Sequence, residues 1–156
     1  MSGETVLLHA TAVARAGRCV LLCGPSGAGK SDLALRLITQ AQANATDDER
    51  FMLVADDQVL LTGAQTELLA SAPSTIAGKL EVRGLGIVAL PFVAQAKVAL
   101  HVDLVATDTI ERMPPPSFVT HAGIAIPALR LRPFEASATA KVAMALAHAT
   151  RCDTWP

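Results

Sequence analysis

The sequence predicts an α/β fold: a mixed β-sheet, rich in strands and poor in helices, with a glycine-rich loop between one buried strand and one helix. Three observations carry this. The apolar run Cys19–Cys23 leads straight into Gly24–Gly29 and then into an amphipathic stretch. Downstream, short β-type runs recur between Gly and Pro residues, more closely than a regular βαβ alternation allows. An alanine-rich segment near the end has the composition of a helix.

Taken in order, Thr5 to Leu8 is a short apolar strand followed by His9, and Ala12 to Ala16 is a second, with Gly17-Arg18 able to turn the chain. Cys19 to Cys23 is continuous and apolar, as a fully buried strand is. Ser31 to Ala41 spaces Leu33, Leu35, Leu37 and Ile38 among polar residues and predicts a helix with a broad apolar face. Gln42 to Arg50 is polar and acidic, an exposed loop. Phe51 to Ala55 predicts a buried strand ending at Asp56-Asp57. Val59 to Leu61, Glu67 to Ala70, Leu80 to Val82 and Ile87 to Leu90 are short strands, and Val98 to Val105 is a longer one. Met113-Pro-Pro-Pro-Ser117 breaks the chain as a surface loop, Ile124 to Leu131 is a last strand, and Glu135 to Ala149 a terminal helix.

The 156 residues suit one domain, and residues 1–156 are read as one. With 51% apolar and 17% charged residues, the chain can bury enough surface to offset the entropy of ordering. A net charge of -1 supplies no basic excess for nucleic acid. The most apolar stretch, Leu85 to Ala106, is interrupted by Pro91, Gln95, Lys97, His101 and Asp103, so no membrane-spanning run forms. No signal-peptide pattern opens the chain, and the odd set Cys19, Cys23 and Cys152 fits a reduced, cytoplasmic protein. Cys19 and Cys23 read as buried fillers rather than metal ligands.

Gly24, Pro25, Ser26, Gly27, Ala28, Gly29, Lys30 and Ser31 satisfy G-x-x-x-x-G-K-[ST] at every required position, a P-loop, with strand before and helix after. Glycines let successive N–H groups face inward as an anion-binding concavity, and the following helix adds the positive end of its dipole. Lys30 can reach the β- and γ-phosphates, and Ser31 can place its hydroxyl on Mg²⁺. Nucleotide binding is the strongest functional implication.

Asp56-Asp57 closes the Phe51 strand, where such proteins handle Mg²⁺ or its water. Successive strand residues point to opposite faces, so one of the two enters the site, unless both decorate a solvated turn. Glu81 and Arg83 have period-2 spacing and share a face if both lie on a strand. That face could hold Mg²⁺ and phosphate, or be an edge carrying a surface ion pair.

In this order, His9, Gly24 to Ser31, Leu53-Val-Ala-Asp-Asp57 and Glu81-Val-Arg-Gly-Leu-Gly-Ile87 resemble the catalytic domain of the HPr kinase/phosphorylase family, over roughly His9 to Ala147. The resemblance implies a fold shared with phosphoenolpyruvate carboxykinase. It also implies ATP- and Mg²⁺-dependent phosphorylation of a serine on the phosphocarrier HPr, or on its nitrogen-branch paralogue, with phosphorolysis as a reverse activity. It makes Lys30 the ligand of the transferring phosphoryl group, Ser31 and Glu81 the Mg²⁺ ligands, Asp57 the general base and His9 an active-site histidine. Arg112 matches a catalytic arginine, although by spacing alone it is an ordinary surface residue. Leu129-Arg-Leu-Arg-Pro-Phe134 stands where the family has a Gly-Arg loop linked to phosphorolysis, so the kinase half is the better supported. The likeness is to the short form without an N-terminal regulatory domain, and implies a homo-oligomer, usually a hexamer.

Two other functions compete. A small-molecule kinase shares loop and length but carries an Arg-rich lid helix, whereas Arg130 and Arg132 lie between Pro127 and Pro133. A nucleotide switch that reads guanine would need an N-K-x-D-type motif, which is absent.

Overall fold

The structure is a computed structural model that describes residues 3–40, 46, 49–106 and 110–149. Cys152 and most of the predicted loop 42–50 lie outside the described residues. The described elements run β1 (Thr5–Leu8), β2 (Ala10–Arg15), β3 (Arg18–Cys23), α1 (Lys30–Thr39), β4 (Met52–Ala55), β5 (Val59–Ala64) and β6 (Glu67–Ser71). They continue with β7 (Lys79–Val82), β8 (Gly86–Ala89), β9 (Ala96–Leu104), β10 (Ser117–His121), β11 (Ile124–Leu131) and α2 (Ala138–His148). The expected strand-rich α/β fold with a mixed sheet is what the chain adopts.

Among the described residues nine strands form one sheet: seven run in the order β1-β5-β6-β9-β3-β2-β4, and β11 and β10 branch from β9. β9 pairs with β6 through its first residues and with β11 through its last, so the sheet forks there, and β10 hangs on β11. The three strands β3, β9 and β11 are parallel, and the other pairs are antiparallel. All three therefore send their carboxyl ends to one edge, where ligand crevices of α/β sheets form. The hairpin β7–β8 is a separate two-stranded sheet.

The strand period of two sorts the apolar residues onto two faces. From β3, Cys19, Leu21 and Cys23 enter a core that mixes alanines such as Ala10 and Ala12 with Leu61, Leu68 and Ile126. Val20 and Leu22 face the other way and pack with Leu33 and Leu37 of α1 and Val142 and Leu146 of α2. Each such leucine, fully buried, contributes about 1.5–3 kcal/mol. Arg18 Nη2 donates to the Leu146 carbonyl at 2.7 Å and Arg15 Nη2 to that of Ala143 at 3.2 Å, tying α2 to the β2–β3 hairpin.

In the main sheet the structure departs from expectation at the β2–β3 turn and at β10. The turn between β2 and β3 falls on Ala16-Gly17, both with positive φ, rather than on Gly17-Arg18. Strand β10, unforeseen after the proline run, is mostly exposed and so lacks an apolar pattern. Its hairpin partner is reached through Ala122-Gly123, with φ 48° and 81°, a weaker signal than Asn-Gly.

Candidate active site

The glycine loop leaves β3 at its carboxyl end. Gly27 and Gly29 have φ of 83° and 99°, values that favour glycine, and the Ala28 amide donates to the Pro25 carbonyl at 3.0 Å. A Cβ on Gly29 would also stand 2.8 Å from Cζ of Phe134. Lys30 is buried at the start of α1, and its Nζ donates to the carbonyls of Gly24 at 2.8 Å and Pro25 at 2.9 Å. The ammonium is thus held over the loop itself, where it can serve an anion.

The two acids at the end of β4 take separate tasks. Asp56 is buried: its Oδ1 accepts from the hydroxyls of Ser31 at 2.7 Å and Thr11 at 2.9 Å. Its Oδ2 accepts the Glu81 amide at 3.0 Å. One carboxylate thereby links α1, β2 and β7. Asp57 has φ of 68°, a conformation uncommon for a non-glycine residue, which turns its carboxylate away from Asp56's partners. There His9 Nε2 donates to Oδ1 at 2.8 Å, with the two side chains 51% and 70% exposed. One acid supports the loop and the other stands beside it in solvent.

Ser31, Glu81, Asp57 and His9 are therefore gathered around Asp56, directly or through its neighbour. Glu81 is reached by its backbone amide, and its side chain is exposed on β7. Arg83 falls in the turn after β7 rather than on the strand, so the expected shared face of Glu81 and Arg83 does not form. Arg112 stands in the exposed stretch after β9, and no contact among the described residues joins it to this cluster. Thr11 is the member that sequence reasoning does not name, and Asp56 is named only as half of the acidic pair, with the catalytic role given to Asp57. The doubled acid was the only signal for Asp56, and none marked Thr11.

A second polar group lies beneath the loop. His101 Nε2 donates to Asp103 Oδ1 at 2.9 Å, while its Nδ1 faces His121 Nε2 at 3.0 Å and the Cys23 sulfur at 3.7 Å. Burial, with the Asp103 charge in support and Lys30 opposing, pushes the Cys23 thiol up to about 12, so it remains protonated. Burial pushes the Cys19 thiol higher still, in keeping with buried fillers. Among the described residues no set of three or more His, Cys, Asp or Glu converges on a metal position.

Burial, then the neighbouring His101, holds His121 below its ordinary value, against the pull of Asp103. The unfolded chain therefore binds more protons here as pH falls through about 6.5, and stability falls with it. Denaturant midpoints at pH 7.5 and 5.5 should drop more for the wild type than for His121→Gln. Equal drops would remove His121 from the pH response.

No described helix is long and apolar enough to cross a membrane. The profile of the HPr serine kinase C-terminal domain matches residues 2–132. The HPr kinase/phosphorylase of Clostridium tetani is 40% identical over 84 residues, 54% of this chain and 25% of that protein. That of Bacillus pumilus is 41% identical over 85 residues, 54% of this chain and 24% of its own length. The alignments thus span about a quarter of the curated relatives. Among solved structures, the HPr(Ser) kinase/phosphatase of Coxiella burnetii superposes with a TM-score of 0.74 at 24% identity, covering 89% of this chain and 92% of that one. The fold is thus shared with a solved structure, and through its match over residues 2–132 the chain belongs to the HPr serine kinase C-terminal domain family.

Proposed function

We propose that the chain acts as an ATP- and Mg²⁺-dependent protein serine kinase whose acceptor is HPr or its nitrogen-branch paralogue. The observation that carries this reading is the pairing of two acids with two tasks: Asp56 on the loop's Ser31, and Asp57 with His9 in solvent beside it. The names of the curated relatives point the same way.

In this reading Gly24–Ser31 is a P-loop of the kind found in phosphoenolpyruvate carboxykinase, and its N–H groups cradle the phosphates. The residues assigned to Mg²⁺ suit it chemically: the Ser31 hydroxyl and the Glu81 carboxylate are hard oxygens, and Asp56 supports both by accepting from the Ser31 hydroxyl and the Glu81 amide. Few protein ligands are needed when phosphate oxygens and water complete the shell. When bound, Mg²⁺ supplies positive charge against the phosphate oxygens.

The chain's own residues do the rest. Lys30 exchanges the Gly24 and Pro25 carbonyls for the transferring phosphoryl group. His9 fixes the Asp57 carboxylate. The acceptor serine Oγ attacks the γ-phosphorus as the bond to the ADP oxygen breaks, and the serine proton passes to Asp57. An exposed carboxylate suits an acceptor presented by another protein. Arg112, on its loop, adds charge at the phosphoryl group.

Purified protein, HPr, Mg²⁺ and labelled ATP should yield phosphoserine on HPr. Nucleotide binding without phosphoserine would overturn the assignment of the acceptor. Adding inorganic phosphate to phosphoserine-HPr and measuring pyrophosphate tests the reverse reaction.

A further inference from the structure

A cleft of about 570 Å³ opens at the carboxyl ends of β3, β9 and β11. Its wall is shared with the loop through Pro25 and Ala28, and it includes neither Asp56, Asp57 nor Glu81. The remaining apolar wall comes from Leu104 at the end of β9, Val105 just beyond it, and Pro133 and Phe134 after β11. Phe134 is a large ring left 69% exposed. It is nevertheless held in place, because Arg36 of α1 donates to the Pro133 carbonyl and the ring lies against Gly29. At the mouth, Arg132 pairs with Glu135 at 3.3 Å, and Lys141 also binds Glu135.

We infer that this cleft takes the purine base and ribose of the nucleotide, with Phe134 as the stacking platform for the base. The inference rests on the reading of Gly24–Ser31 as the phosphate cradle. A nucleotide whose phosphates occupy that loop must lay its nucleoside along an adjoining surface, and Pro25 and Ala28 belong to both. The volume is that of a small-ligand site, and the crevice lies at the carboxyl ends of parallel strands, where such sites form. An aromatic face, fixed and exposed beside a phosphate site, suits any base through its π-surface. The role belongs to Phe134 as a residue that positions the base; it touches no reacting atom.

Calorimetric titration of the full chain with ADP and with pyrophosphate separates the two halves of the ligand. Phe134→Ala is expected to weaken ADP about tenfold or more, the upper part of the range for loss of one base–aromatic stack. Pyrophosphate affinity should stay within about twofold, since that ligand has no base to stack. Phe134→Trp should restore ADP binding. Parallel losses for both ligands would make Phe134 a support of the loop and overturn the inference, and so would an unchanged ADP affinity. Wild type that binds neither ligand would overturn the phosphate cradle and this inference together. Wild type that binds both yet leaves HPr unmodified would overturn the proposed acceptor and leave the cleft's assignment standing.

Discussion

Asp57→Asn is expected to lower the rate of serine phosphorylation by about 10²–10⁴-fold, the usual contribution of a positioned general base. The amide keeps the shape and can still accept the hydrogen bond from His9 Nε2, but it cannot take the serine proton. Because the side chain is 70% exposed and touches none of Asp56's partners, stability and nucleotide affinity should stay near wild type. The measurement is a single-turnover transfer assay beside ADP titration. Retained transfer in Asp57→Asn, with loss in Asp56→Asn, would reverse the roles assigned to the two acids.

Asp56→Ala should fail in a different way. The substitution removes the common acceptor of Thr11, Ser31 and the Glu81 amide. A buried donor left without a partner costs about 1–3 kcal/mol, so the domain should melt several degrees lower. Ser31 and Glu81 also lose the group that orients them, and Mg²⁺-dependent nucleotide affinity should fall about 10–100-fold, as when a supporting residue of a metal site is removed. Thermal melts with and without Mg·ADP report both effects. A wild-type melting temperature and affinity in Asp56→Ala would show that the three contacts are incidental.

Much of this architecture could be read from residue order. Cys19–Cys23, Ile124–Leu131 and the α1 stretch announce themselves because burial on one or both faces leaves a periodic trace. The glycine loop is legible because phosphate recognition by backbone needs fixed glycine spacing. Other features leave no such trace. Asp56 and Asp57 are chemically identical neighbours, and what separates them is one left-handed backbone angle at Asp57. Arg83 sits two residues beyond Glu81, so spacing suggested a shared face, but β7 ends at Val82 and the chain turns first. Phe134 looked like an interruption of a family pattern. Its meaning depends on β11 ending beside the loop, a relation between residues far apart in the chain.

The parallel pairing of β3 with β9 also governs when the cradle can form. Residues 18–23 meet residues 97–103, so this contact has high sequence separation, and loop-closure entropy delays it relative to the β2–β3 and β5–β6 hairpins. A nascent chain of the first 95 residues holds every residue of the glycine loop, yet lacks the strand that backs β3 on one side. Contact order thus predicts that ligand competence follows the local hairpins in folding.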